Sequence, residues 1–385
     1  MQKPVYPAFL AIIAAYQMSL AVITLYLPLF FHQRGYSQAA IGIILSLSPL
    51  VGVAAQPFWG TRADRSSSRN RVLMGMFAGS GLSVLLFYFR LPIAATLAVM
   101  ALFTFFQVGI EPLSWSINLE QAEARGWRFG PLRMAGTVGF ALMAVFSGWV
   151  LDRRPQTAFL LYCGLSLLGA ALAVMLPRTP GHQRGSRRLS MILLMKNPEL
   201  VGLLIYGAVL VMTLAFYYSF FPIYYQNLGA TRTLLGVATL ISALPEIVVL
   251  SFADRIFNAL GPRRMIMIAG AALAVRWLLL YVLRDPYWLL PVQVLHSLTF
   301  IIVFFSITSY INRTVPKELK ASGQALCALV VFGAARAAGA LAGGCLAEWR
   351  GLRNTFLYCA VLAAASTFGF ALWNRAAERA GRAKS

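Results

Sequence analysis

Leu27-Pro28-Leu29-Phe30-Phe31, followed by Gly35, Ser37 and Gly42, returns later in the chain as Phe221-Pro222-Ile223-Tyr224-Tyr225, followed by Gly229, Thr231 and Gly236. Pro, Gly and the hydroxyl residue all keep one offset of 194 positions. A second set, Gly148, Asp152, Leu161, Tyr162 and Cys163, recurs as Gly344, Glu348, Leu357, Tyr358 and Cys359 at an offset of 196. Two nearly equal offsets point to a duplicated unit rather than to chance likeness among apolar segments. Ser37 and Thr231 each stand where a helix is expected to start, because a hydroxyl there can accept a bond from the first unpaired amides.

The surroundings of these repeats decide the solvent. Of 385 residues, 59% are hydrophobic and 12% charged, against about 25% charged in a soluble domain. Segments such as Pro7 to Phe31 and Thr355 to Trp373 are apolar nearly all round, so lipid rather than water is their natural medium. Windows of about 20 apolar residues fall near 7 to 31, 39 to 61, 71 to 89, 93 to 117, 131 to 151, 156 to 177, 200 to 224, 232 to 253, 265 to 283, 287 to 312, 321 to 346 and 354 to 374. The expected fold is therefore an all-α membrane protein with twelve transmembrane helices in two parallel-repeat six-helix bundles, 1–177 and 198–385, joined by a basic cytoplasmic linker at 178–197.

A net charge of +21 raises nucleic acid as a partner, but the distribution argues for a bilayer. With both termini cytoplasmic, 23 of the 33 Lys and Arg fall on the cytoplasmic side, 8 on the other, and only Arg276 and Arg336 inside apolar segments. This is the asymmetry that sets topology in a membrane. The expected location is the plasma (inner) membrane, with no nucleic acid bound. The first apolar stretch is too long for a signal-peptide core and reads as a spanning helix. Cys163, Cys327, Cys345 and Cys359 form no C-x-x-C pair, so no zinc site, disulfide framework or other cofactor is expected.

After the second span comes Gly60-Thr61-Arg62-Ala63-Asp64-Arg65, then Arg69 and Arg71. This resembles the signature loop of the major facilitator superfamily. A degraded copy, Phe252-Ala253-Asp254-Arg255 with Arg263 and Arg264, follows the eighth span. The resemblance implies a gating loop of Gly60, Asp64, Arg65, Asp254 and Arg255, in which Gly60 permits close helix approach and Asp64 pairs with Arg and helix-end amides. Phe129 to Phe140, with Gly130, Arg133, Gly136 and Gly139 in register, resembles the start of the fifth helix in the lactose permease and phenylpropionate permease branch, and Arg276-Trp277 and Leu295-His296 match its ninth and tenth helices. The chain departs from the sugar carrier at three positions of that resemblance. Trp115 replaces the sugar-binding acid, Phe140 the stacking aromatic and Thr299 the proton-carrying acid. An aromatic or other carboxylate is thus favoured over a lactose-like sugar.

Ionisable groups at membrane depth cost several kcal/mol, so each is a functional candidate. Glu111, Glu246 and His296 are candidates for proton coupling, since a carboxyl group in a low-dielectric site is pushed towards protonation near neutrality and His titrates there unaided. Glu246 and Arg276 either pair structurally or take part in coupling; Arg336 either pairs with Glu111 or Glu246 or binds a carboxylate on the cargo. Gln17, Trp115, Phe140, Tyr217, Arg276, Gln293 and Arg336 form the substrate-binding candidates, with apolar walls and few polar groups. The expected function is secondary active transport by alternating access, as proton symport of a small organic solute by a functional monomer. The rivals are a proton-coupled exporter of drugs or metabolites and a non-transporting, receptor-like membrane protein. The sequence has no H-E-x-x-H, G-x-S-x-G or phosphate-cradling loop, so an enzyme is not expected.

Overall fold

A computed structural model describes residues 5–127, 129–177, 179, 191–316 and 319–382. Twelve helices among them are long and apolar enough to cross a membrane: α1 (Tyr6–Gln33), α2 (Gln38–Asp64), α3 (Arg69–Tyr88), α4 (Ile93–Arg125), α5 (Met134–Arg153), α6 (Pro155–Met175), α7 (Pro198–Asn227), α8 (Arg232–Val249), α9 (Arg255–Val282), α10 (Leu289–Thr314), α11 (Ser322–Arg350) and α12 (Leu352–Ala376). The expected count is matched, and each window lies within its helix to a few residues. Among the described residues there is no strand. Side chains such as Leu142, Val174 and Phe368 stay exposed on these helices, as lipid-facing positions must. Most of the linker expected at 178–197 lies outside the described residues.

Contacts divide the chain into two units. One gathers α1, most of α2, α3 to α6 and the start of α8, Ala230–Leu240; the other gathers α7, the rest of α8, α9 to α12 and the start of α2, Tyr36–Ser46. Within the first, α1 packs along α5 and α6, and α3 along α6. Within the second, α7 packs along α11 and α12. The duplicated sequence thus gives duplicated packing.

The repeated glycines and hydroxyl residues have repeated jobs. Gly35 and Gly229 end α1 and α7 with φ of +83° and +91°, a conformation that disfavours any side chain and terminates a helix. Ser37 and Thr231 cap the next helices: Ser37 Oγ accepts from Ala40 N at 3.2 Å and Thr231 Oγ1 from Leu234 N at 3.1 Å. Gly42 and Gly344 meet in one unit and Gly148 and Gly236 serve a matching crossing in the other. A Cβ on Gly42 would lie 2.7 Å from the Ala340 carbonyl oxygen, and one on Gly236 2.2 Å from that of Ala144. Only hydrogen fits at such a crossing.

Three interruptions of the spans lie near functional candidates. In α4 the regular helix stops at Gln107 and resumes at Ile110, because Pro112 has no N–H for the carbonyl of residue 108 and its ring crowds that oxygen. In α10 residues Gln293–Leu298 are wound as a 3₁₀ helix, and Thr299 breaks the run with φ −110° and ψ −97°. In α11 the stretch Ala328–Ala334 is a π-helix, just before Arg336.

Candidate functional site

The second unit holds a buried cationic cluster. Arg276 of α9 is fully buried. Its Nη2 donates to Gln293 Oε1 at 2.8 Å and its Nη1 lies 2.9 Å from His296 Nδ1. In a 3₁₀ helix residues three apart eclipse one another, so the local winding of α10 stacks Gln293 beneath His296 and turns both towards one guanidinium. Tyr217 donates to Gln293 Oε1 at 2.8 Å, and its ring lies 4.2 Å from the Arg276 guanidinium carbon. Tyr218 Oη meets His296 Nε2 at 3.2 Å. Trp277 closes the far side, its indole N–H donating to Thr213 at 3.0 Å.

The network fixes the histidine. Arg276 can only donate, so Nδ1 of His296 must be an unprotonated acceptor. The neutral ring then carries its proton on Nε2, towards Tyr218. Gln293 is oriented in the same way: its oxygen takes two donors, and its Nε2 donates to the Leu289 carbonyl at 3.2 Å. Of the two readings of Glu246 and Arg276, a direct ion pair is absent here, since the bonds of Arg276 go to neutral partners, and its buried Nε has none. Among the described residues Arg336 also makes no ion pair; its guanidinium carbon lies 5.8 Å from the Tyr218 ring. Glu246 is half-buried beside Pro245 on α8.

The first unit carries a second polar cluster around the break in α4. Gln17 Nε2 donates to Glu111 Oε1 at 3.3 Å, and one turn earlier Gln107 Nε2 donates to Tyr16 Oη at 3.2 Å. The glycines matched in the fifth helix explain how α1 comes near enough: a Cβ on Gly136 would lie 3.0 Å from Ile13 Cγ2, and one on Gly139 3.3 Å from Ala14 Cα. Trp115 packs against the apolar core of this unit. Phe140 is half-buried on α5. Gln107 and the role of Tyr218 escaped the sequence reading, although polar side chains inside an apolar span were the available signal.

The gating loop differs from expectation. A Cβ at Gly60 would meet nothing within 4 Å, so the close helix approach assigned to this glycine is not present in this structure. Asp64 and Arg65 make no side-chain hydrogen bond or ion pair among the described residues. Buried Arg69 instead binds Glu120 and, at 3.1 Å, Ser116, while Arg263, 194 positions later, donates to Glu199 at 2.7 Å. Asp254 has its side chain outside the described residues; Arg255 lies 5.8 Å from the Phe252 ring. Among the described residues no group of His, Cys, Asp or Glu is placed to hold a metal ion.

Residues 13–358 match the MFS_1 like family. Maltose permease of Geobacillus stearothermophilus is 29% identical over 373 residues, covering 94% of this chain and 91% of that protein. A probable 3-phenylpropionic acid transporter of Escherichia coli is 23% identical, covering 72% and 74%. The crystal structure of the nucleoside transporter NupG superposes with a TM-score of 0.85 at 16% identity, covering 96% and 98%. Duplicated helices, scarce buried charge and this match over most of the length lead to one statement: the chain belongs to the MFS_1 like family of major facilitator proteins and is a membrane transporter, not an enzyme.

Proposed function

We propose that the chain is a proton-coupled symporter of a small organic carboxylate, aromatic acids foremost, working by alternating access as a monomer in the plasma (inner) membrane with both termini cytoplasmic. The observation that carries the reading is Arg276: a fully buried guanidinium, bonded to neutral partners, with its Nε left without a partner. A buried charge without a counter-ion is costly, and an anionic cargo relieves that cost while a neutral one does not. Arg336, likewise without an ion pair among the described residues, and the rings of Tyr217 and Tyr218 add a second cation and aromatic walls.

The geometry of His296 supports a route for the coupling. A proton arriving at Nδ1 confronts a guanidinium N–H, so protonation of His296 and its bond to Arg276 exclude one another. Protonation therefore loosens Arg276 for the carboxylate, and release of the cargo restores the bond. Glu111, held by Gln17, and Glu246 are the further proton-carrying candidates.

A neutral oligosaccharide is the second reading. It is favoured by the likeness to maltose permease and by the amide and carboxylate groups of Gln17, Gln107 and Glu111, which suit hydroxyls. Uptake into proteoliposomes under an inward proton gradient, with labelled benzoate, 3-phenylpropionate, maltose and uridine, separates the two. Gradient-driven accumulation of the acids alone supports the proposal; accumulation of maltose alone sinks it. Extrusion of amphipathic dyes against the gradient would instead favour export.

A further inference from the structure

At one end of the first unit the helices leave an opening of about 280 Å³, walled by Phe30 of α1, Tyr88 of α3 and Phe159 of α6 and flanked by Arg34 and Arg232. It shares no lining residue with either polar cluster described above. Arg34 is fixed there: it donates to the carbonyls of Phe87, Tyr88 and Phe89 at 3.4, 2.9 and 3.3 Å, and its guanidinium carbon lies 4.8 Å from the Phe30 ring. Those bonds are to neutral oxygens, so its charge is uncompensated among the described residues.

Arg232 is different. Its Nη1 stands 3.9 Å from Asp152 Oδ1, outside hydrogen-bonding reach. The two oxygens of Asp152 are already taken by the amides of Arg232 and Thr233 and by the Thr233 hydroxyl, at 2.7, 2.9 and 2.6 Å. The guanidinium of Arg232 therefore makes no hydrogen bond among the described residues, although its side chain is only 17% exposed. Two cations face this opening, and the one carboxylate beside them, Asp152, spends three hydrogen bonds on the start of α8.

We propose that this opening is a binding site for a small oxyanion, a carboxylate or phosphate group on a compact apolar body, gripped by the free donors of Arg232 and resting against the edge-packed rings of Phe30 and Phe159. A guanidinium presents paired donors that match such a group bidentately. The volume falls at the lower edge of the roughly 300–1,000 Å³ of ligand pockets, so it suits a benzoate-sized anion and not a disaccharide. Arg232 begins α8, and Asp152 ties that beginning to α5. An occupant bridging Arg232 to walls from α1 and α6 stabilises this packing, because a ligand favours the state that it binds. The site is thus regulatory: its anion holds the start of α8 in place. The same chemistry is offered by a free organic acid and by the headgroup of an anionic lipid.

The test is thermal unfolding of the detergent-purified full chain at constant ionic strength, with sodium benzoate, with its neutral twin benzamide, and with dihexanoylphosphatidylglycerol. The expected result is a saturable rise in Tm with benzoate or with the lipid, and none with benzamide. The anion that acts identifies the source. In the Arg276→Gln background, where the transport site is disabled, Arg232→Gln removes the rise, and Arg232→Lys raises the half-saturating concentration by roughly tenfold or more, since charge remains but the fork is lost. Asp152 bonds the backbone, not the side chain, of Arg232, so both variants keep the cap and are checked by their melting without ligand. In Arg276→Gln the rise persists, which makes the outcome independent of the transport reading. No rise with either anion overturns the proposal. So does a rise that survives Arg232→Gln and disappears in Arg276→Gln.

Discussion

Asp152 sits on the N-terminus of α8, accepting from Thr233 twice, through the backbone amide at 2.9 Å and through the hydroxyl at 2.6 Å. With the bond from the Arg232 amide and the Thr231 cap on Leu234, the first three amides of that helix are all satisfied. Glu348 repeats the arrangement at α2, taking the amides of Gln38 and Ala39 at 2.6 and 3.4 Å while Ser37 takes Ala40. A helix start exposes donors and partial positive charge, and a carboxylate from a neighbouring helix answers both. These two carboxylates therefore fasten the beginnings of α8 and α2 to α5 and α11.

Removing either carboxylate charge should loosen its crossing without dissolving the fold. Asp152→Asn and Glu348→Gln are each expected to cost about 1 kcal/mol, the usual worth of a helix cap. The double variant should lose the sum, because the two caps lie in separate units and share no partner. Chemical unfolding of the two single variants and the double checks this. A loss in the double variant far from additive would mean that the two crossings act as one.

Glycine substitutions should sort by what their Cβ meets. Gly236→Ala forces a methyl onto the Ala144 carbonyl oxygen at 2.2 Å and is expected to cost about 1–3 kcal/mol, as overpacking does. Gly60→Ala meets open space and should stabilise α2 slightly, since alanine favours a helix by up to about 1 kcal/mol over glycine. If Gly60→Ala nonetheless slows transport while raising Tm, close approach at the signature loop belongs to another stage of the cycle.

Much of this was legible before any coordinates. The offset of 194 located Gly35, Ser37, Gly42 and their partners because each performs a backbone task that few residue types can perform, and the spans followed from the need to satisfy every amide inside lipid. The site was legible only as a set of names. That Gln293 and His296 share one face of α10 depends on a 3₁₀ segment, which hydrophobic periodicity does not encode when nearly every residue is apolar. Whether Glu246 pairs with Arg276 or takes part in coupling was left open for a related reason: charge complementarity proposes partners, but helix rotation decides them. At Asp64 the resemblance to the signature loop named the residue, while buried Arg69 makes the ion pair.

The two ion pairs made by Arg69 of α3 and Arg263 of α9 should differ in weight. Arg69 is 3% exposed while its partner Glu120 is 34% exposed, so Arg69→Gln removes a buried charged hydrogen bond but leaves a carboxylate that water reaches, and should cost about 1.5–3 kcal/mol. Arg263 and Glu199 are each about a third exposed, at 32% and 29%, and Arg263→Gln should cost below about 1 kcal/mol. Unfolding in a common detergent reads both. Equal losses would show that burial does not govern these pairs.

Glu111→Gln separates proton coupling from binding. The amide keeps the size of the carboxyl group and a hydrogen bond to Gln17 but carries no titratable proton. If Glu111 carries the proton, gradient-driven accumulation should disappear while exchange of labelled for unlabelled solute across the membrane continues. If accumulation survives with wild-type pH dependence, His296 or Glu246 carries the proton and Glu111 only braces the break in α4.

The cluster around Arg276 allows the sharpest separation of charge from geometry. Arg276→Lys keeps one positive charge but cannot reach Gln293 and His296 together, and it loses the planar contact with Tyr217. Arg276→Gln removes the charge as well. If anionic cargo is held by charge alone, the lysine variant should transport nearly as well as wild type. If the fork matters, both variants should lose at least about tenfold in kcat/KM for the acids, equivalent to roughly 1.4 kcal/mol of lost transition-state binding. His296→Asn then decides how protonation enters, because its amide oxygen can accept from Arg276 in place of Nδ1 but binds no proton near neutrality. Uptake that persists in this variant with a flattened pH profile would assign the proton to His296, whereas an unchanged profile would return it to the carboxyl groups.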